Sequence, residues 1–344
     1  MTPRAPELDE LERVLSRADS RLERRVACEV LGVPGQTLPV HVLTLGNPDA
    51  DACVGYFGGV HGLERIGSAV VIAWLDSLLS RLAWDTSLHQ LLERLRIVFI
   101  PIVNPGGMLR GTRANPQGVD LMRNAPVEAL DAVPFLVGGQ RISSGLPWYR
   151  GRLGEAMQTE SAMLCDVVQS EMHGRAFSLA LDCHSGFGMR DRLWFPMAHH
   201  RRPIAHLAHL HALNAIFEQS NSHHPYAFEP QSRQYLTHGD LWDYSYLKAC
   251  EAGQGVFLPL TLEMGSWLWV RENPRQLFSR HGVFNPLIEH RQQRVLRRHF
   301  PLLDFSLRAA ASAPTWLPQG DALVLHRDAA IKRWYTRAPG VSRN

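Results

Sequence analysis

Residues Leu95 to Val103 read LRIVFIPIV, with Arg96 the sole charge in nine positions. The run is rich in β-branched residues, which favour a pleated backbone, and it lacks polar alternation. Such a strand has no face to offer water. It belongs at the centre of a sheet covered on both sides. Three further runs read the same way: Cys53 to Phe57, which ends in Gly58-Gly59; Phe177 to Cys183; and Val256 to Met264. Pro259 leaves the middle of the last one open, since proline cannot donate to a ladder. Between and after these runs, helical spacing predicts helices over about 66–82, 86–94, 156–173, 202–220, 239–252 and 286–311. Strands alternating with helices give an α/β fold, with a mixed, mostly parallel central sheet and helices on both faces.

The ends of the chain are less regular. Leu8, Leu11, Leu15 and Leu22 recur at helical spacing among charges, so residues 5–25 predict an amphipathic surface helix. Strand-like stretches at 26–32 and 38–46 flank Pro34, Gly35 and Gln36, which predicts a hairpin or edge pair. Residues 104–155 are rich in Gly, Pro, Arg and Asn; a long irregular stretch inside a compact domain is functional or mobile. Its part from 125 to 155, with Gly138-Gly139 and Pro147-Trp148-Tyr149, is expected to line or cover a cleft. From Ser312 no pattern is evident. The simplest division is a helix with edge strands (1–45) packed on a catalytic domain (46–311), followed by a C-terminal tail (312–344).

At 344 residues, 45% of them hydrophobic, the chain can bury a core without staples. Lys and Arg number 36 against 33 Asp and Glu, so nothing points to nucleic acid or a membrane surface as partner. Five scattered cysteines without a C-x-x-C pair indicate neither a zinc ribbon nor a disulfide framework. Met1 to Leu11 lacks the apolar core of a signal peptide, and no apolar run approaches a membrane span. These features give a cytoplasmic location as the expectation. They leave the oligomeric state open.

Chemistry gathers where the strands end. Gly58-Gly59-Val60-His61-Gly62-Leu63-Glu64 follows one strand, His184-Ser185-Gly186 follows another, and Glu263 sits near the end of a third. Open α/β sheets collect ligand sites beyond their carboxyl ends. Two imidazoles and one carboxylate are a catalytic zinc set, leaving the fourth position to water or substrate. His61 and Glu64, three apart in a turn, can aim at one ion that His184 completes once the sheet forms. A carboxylate outside the ligand set is then needed as proton acceptor, which suits Glu263.

Between these points lie Asn104-Pro105-Gly106-Gly107 and Arg113-Ala114-Asn115-Pro116-Gln117-Gly118-Val119-Asp120-Leu121-Met122-Arg123-Asn124. With His61-x-x-Glu64 before and His184 after, the pattern over about 53–265 resembles the M14 zinc carboxypeptidase family. The resemblance implies one zinc per chain held by His61, Glu64 and His184, with Glu263 as general base and later general acid. It implies that Arg113 stabilises the oxyanion, that Arg123 binds a substrate carboxylate with Asn115 and residue 122 beside it, and that Asp120 orients a ligand imidazole. Met122 departs from the pattern, standing where the family has an asparagine that helps hold a terminal carboxylate. A thioether donates no hydrogen bond. The family's mobile tyrosine is matched by Tyr235, Tyr244 or Tyr246. His206 and His209-x-His211 lie on a predicted helix among Leu and Ala, where packing explains them better than a second metal does. Cys183 reads as a small buried strand residue.

The function expected is hydrolysis of an amide bond in a peptide or peptide-like substrate, as a carboxypeptidase. Met122 keeps open an N-acyl amino acid deacylase or amidase acting on a small acyl-amino-acid substrate. A binding protein on the same fold is the third reading.

Overall fold

The computed structural model describes residues 5–32 and 36–336. In chain order the elements are α1 (Pro6–Ser16), β1 (Glu23–Leu31), β2 (Thr37–Gly46), β3 (Ala52–Gly58), α2 (Arg65–Arg81), α3 (Thr86–Leu92), β4 (Leu95–Ile100) and α4 (Pro105–Arg110). After a long irregular stretch come α5 (Thr159–Met172), β5 (Phe177–Ser185), β6 (Arg192–Phe195), α6 (Leu207–Ser220), β7 (Ala227–Pro230), α7 (Leu241–Ala252) and β8 (Val256–Met264). The chain closes with α8 (Trp267–Glu272), α9 (Glu289–Ala311), α10 (Ala313–Trp316) and α11 (Asp321–Ala330).

The strands form one eight-stranded sheet in the order β1-β2-β4-β3-β5-β8-β6-β7. Its centre, β4, β3, β5 and β8, is parallel, as the apolar runs require. β1 with β2, β2 with β4, and β6 with β8 are antiparallel. Neighbouring residues on β3 show the two-faced packing. The Tyr56 hydroxyl donates to the Leu303 carbonyl of α9 at 2.9 Å, whereas Phe57 packs on Trp242 of α7 with ring centroids 5.1 Å apart. Helices α2 and α9 thus lie on one face, and α5 and α7 on the other. Pro259 is tolerated in β8 because β6 pairs only with Thr261 to Glu263, so the ladder on that side starts beyond it.

Three readings change, and a fourth lies partly outside the described residues. The helix over 5–25 stops at Ser16; Leu22 is buried all the same, as the lead-in to β1, and apolar spacing cannot tell the two apart. The β1–β2 pair forms, but Pro34 and Gly35 of its expected turn lie outside the described residues. The short strands β6 and β7 had no periodic signal. The tail is regular from Ser312 to Thr336: α11 packs on α6, and Trp334 is buried against Phe195 and Phe228, donating from Nε1 to the Phe228 carbonyl of β7 at 2.8 Å.

Candidate active site

The parallel strands end at one edge of the sheet, and the site is built there. The register sets His184 of β5 beside Glu263 of β8. The turn after β3 carries His61 and Glu64, and it packs closely on α4. A Cβ on Gly62 would lie 2.1 Å from the Gly107 backbone, and one on Gly107 would lie 2.6 Å from the Ala114 carbonyl, so neither position has room for a side chain. Asn104 caps α4, accepting from the Gly107 N–H at 2.8 Å. Asn285, far along the chain, fixes the same turn by accepting from the Ile66 N–H at 2.9 Å and donating to the Leu63 carbonyl at 2.8 Å.

His61, Glu64 and His184 are buried, and each offers a ligand atom within 4.8 Å of the others. No other trio of His, Cys, Asp or Glu comes this close among the described residues. The donor chemistry fits a metal: two imidazoles and a carboxylate converge, and His61 Nδ1 is buried without a hydrogen-bond partner among the described residues. His184 turns Nδ1 toward Glu64 Oε2 at 3.1 Å and donates from Nε2 to Asp182 Oδ2 at 2.6 Å. Asp182 also accepts from Trp242 Nε1 at 2.8 Å. A carboxylate behind a ligand histidine fixes its tautomer and raises its basicity.

Electrostatics separate the two glutamates. Burial alone would raise Glu64, but His61, His184 and Arg113 around it hold it below the usual carboxylate range. Burial and the nearby Glu64 charge push Glu263 up to about 8. Its Oε1 accepts from the Phe187 N–H at 3.0 Å. Carboxyls driven apart in this way are a mark of acid–base sites. Burial and the Arg113 charge lower His61, whereas Asp182 and Glu64 outweigh burial at His184 and raise it well above its usual value.

Arg113 bridges the cluster, donating from Nε to Asp120 Oδ2 at 2.8 Å and from Nη1 to Glu64 Oε1 at 3.1 Å, with Nη2 at 2.6 Å from His61 Nε2. Asp120 therefore serves Arg113 first. Its Oδ1 stands 3.6 Å from His61 Nδ1, beyond hydrogen-bond reach. Arg123 and Met122 line the same cavity of about 610 Å³, together with Tyr235. Arg123 is buried and spends two long bonds on carbonyls, Val137 at 3.4 Å and Met122 at 3.3 Å; no carboxylate pairs with it among the described residues. Tyr235 is the tyrosine brought to the site, facing Arg123, Glu263 and Arg113. Tyr246 is spent on His206, at 2.9 Å from its Nδ1, and Tyr244 lies against Lys248.

Asn115 does not join the cavity. Its amide donates to Gln158 Oε1 at 2.9 Å and its carbonyl accepts from Gln117 and Val119, so the substrate contact expected of it is replaced by a turn-holding role. Cys183 is fully buried and burial raises its thiol well above the usual range, which leaves it inert. Sequence reasoning missed Asp182, Trp242 and Asn285. A signal existed for the first: Asp182 and His184 are two apart on a strand, so their side chains share a face.

A family model for zinc carboxypeptidases (peptidase M14) matches residues 11–265. The chain belongs to the zinc carboxypeptidase family. Among solved structures it is similar to thrombin activatable fibrinolysis inhibitor, at 18% identity and a TM-score of 0.65, covering 88% of this chain and 72% of that one. The bovine form of that protein, in complex with tick carboxypeptidase inhibitor, gives 17% identity and a TM-score of 0.63 over 89% and 96% of the two chains. Carboxypeptidase A from Helicoverpa armigera gives 18% and 0.61 over 90% and 72%. At such identities the likeness establishes the fold. No curated protein sequence matches the chain significantly. Zinc dependence is the rule of the family, and the His61, Glu64 and His184 trio could hold the metal.

Proposed function

We propose that this family member hydrolyses an amide bond in a peptide or peptide-like substrate, acting as a carboxypeptidase at a free carboxylate end. The observation that carries the reading is the meeting, in one cavity, of the His61–Glu64–His184 trio, Glu263 and Arg123, which no carboxylate pairs with among the described residues. His61, Glu64 and His184 would hold one zinc ion per chain, which supplies a Lewis acid for the scissile carbonyl and an acidified water. Glu263 takes the proton of the attacking water on its carboxylate and returns it to the leaving nitrogen. Arg113, anchored by Asp120 and held beside the trio, would bring its fixed positive charge to the developing oxyanion. Arg123 holds the substrate carboxylate through its planar fork. Asp182 keeps the His184 Nε2 proton in place, leaving Nδ1 for the metal.

Met122 favours a second reading. It lines the cavity without a donor, so the carboxylate grip falls on Arg123 alone, as would suffice for an N-acyl amino acid deacylase. One experiment tests the function and sorts the two readings. Purified protein is assayed for zinc and for hydrolysis of peptides and N-acyl amino acids, beside His61→Ala and Glu263→Gln. The parent should carry zinc that His61→Ala loses. Glu263→Gln should keep zinc yet turn over about a hundredfold to ten-thousandfold more slowly. A folded parent that takes up no zinc when it is offered would refute the proposal.

A further inference from the structure

The irregular stretch 125–155 forms a wall of the cavity through Pro134, Val137, Pro147 and Trp148. Hydrogen bonds tie it to the arginine segment and close it on itself. The Asp120 N–H donates to the Tyr149 carbonyl at 2.8 Å, the Gln140 N–H to the Trp148 carbonyl at 2.9 Å, and Arg123 Nε to the Val137 carbonyl at 3.4 Å. Met122, Val137 and Trp148 line the cavity together with Arg123. Phe187 and Trp194, ring centroids 5.1 Å apart, line the same cavity.

Two non-glycine residues among those described hold a positive φ of 60°, Leu136 and Trp148; both belong to this stretch, and Trp148 lines the cavity. An L residue adopts that conformation reluctantly and keeps it only where its surroundings impose it. Gln140 imposes it on Trp148. Its buried amide donates to the carbonyls of Ser143, Leu146 and Pro147 at 2.9, 3.1 and 3.2 Å, and its oxygen accepts from the N–H groups of Ile142 and Ser143 at 2.6 and 3.1 Å. One side chain thus closes the whole 140–148 loop and presents the indole to the cavity.

We propose that Trp148, with Met122 and Val137, is the specificity wall of this site, taking an apolar side chain on the residue whose carboxylate Arg123 holds, and that Gln140 is the positioning residue that fixes the indole there. This rests on the role given to Arg123 above. The substrates are then peptides or N-acyl amino acids whose carboxylate-bearing residue is aromatic or branched aliphatic. An apolar wall discriminates by the water-exposed area it removes from such a side chain.

The test is equilibrium binding, by calorimetry, of N-acetylglycine, N-acetylleucine and N-acetylphenylalanine to the full chain carrying Glu263→Gln, with zinc supplied. The parent should prefer the phenylalanine ligand to the glycine ligand by on the order of tenfold or more. Trp148→Gly should collapse that preference, and Trp148→Phe should restore most of it. Trp84→Ala, at an exposed tryptophan outside the cavity, should leave it unchanged. The thermal midpoint of Trp148→Gly should hold or rise, since glycine adopts a positive φ freely, which separates loss of the wall from loss of the fold. Gln140→Ala should lower the preference in the parent but not in the Trp148→Gly background, because it acts through the indole. An unchanged preference in Trp148→Gly would overturn the wall. Equal effects of Gln140→Ala in both backgrounds would overturn its positioning role. A parent that binds none of the three ligands would overturn the role given to Arg123, and this inference with it.

Discussion

Asp182→Asn takes one charge out of the middle of β5 and keeps the side chain's shape. Asp182 is fully buried; Oδ2 accepts from His184 Nε2 at 2.6 Å and Trp242 Nε1 at 2.8 Å, and Oδ1 has no partner among the described residues. Asparagine has one oxygen to offer, and both donors require it at the Oδ2 position. Its amide nitrogen then falls where Oδ1 now lies, as a buried donor without an acceptor. Two costs follow, and they read out in different assays. The bond to His184 drops from a charged hydrogen bond worth about 1.5–3 kcal/mol to a neutral one worth about 0.5–1.5 kcal/mol. That difference, about 1–1.5 kcal/mol, weakens His184 as a ligand, so zinc affinity should fall about tenfold, at the low end of what such partners contribute. The stranded amide costs the folded chain about 1–3 kcal/mol whether or not zinc is bound. Competition with a chromophoric chelator measures the first, and urea unfolding in excess chelator the second. A variant that loses stability yet binds zinc within twofold of the parent would refute the reasoning. Asp182 would then hold the fold and not the metal ligand.

Three other perturbations have expected outcomes. Met122→Asn should tighten binding of carboxylate ligands by about 0.5–1.5 kcal/mol, the net worth of one added hydrogen bond; an unchanged dissociation constant by calorimetry would show that Arg123 needs no helper. His299 is buried beside Tyr226, and burial lowers it to about 4 in the fold. An unfolded histidine titrates near 6.5, so between about pH 6.5 and 4 the unfolded chain binds the extra proton and stability falls as pH falls, by up to about 3 kcal/mol. His299→Gln should flatten that slope in urea titrations at several pH values, and a parallel slope would refute it. Trp334→Ala should cost about 3–5 kcal/mol in unfolding free energy, as expected for a buried aromatic, and a loss under 1 kcal/mol would mean the last segment is only loosely held.

What the sequence disclosed follows from how burial writes itself into composition. Central strands β3, β4, β5 and β8 are covered on both faces, so they appear as unbroken apolar runs. β6 and β7 are four residues each, too short for any period, and were invisible. The trio and Glu263 could be located because each ends or follows such a run. Asp182 and Trp242 could not be matched in the same way, since a contact between β5 and α7 depends on how helices settle on the sheet. Tyr235 was one of three equivalent candidates in the sequence, and only the placement of the loop before α7 distinguishes it. Asn115 shows the converse: a motif position whose side chain the fold spends on its own turn.

The hydrogen bond from Trp334 to the Phe228 carbonyl reaches beyond the packing of one aromatic. β7 is the last strand of the sheet, and an uncovered last strand is a template on which another copy of the chain can add its own. The segment after α11 occupies one of that template's acceptors and lays an indole over its side chains. A chain cut after Ala311 would keep every residue of the family match and still expose a growing edge. The contact that covers this edge is made about seventy residues beyond Glu263, by a tryptophan that lies outside the cavity.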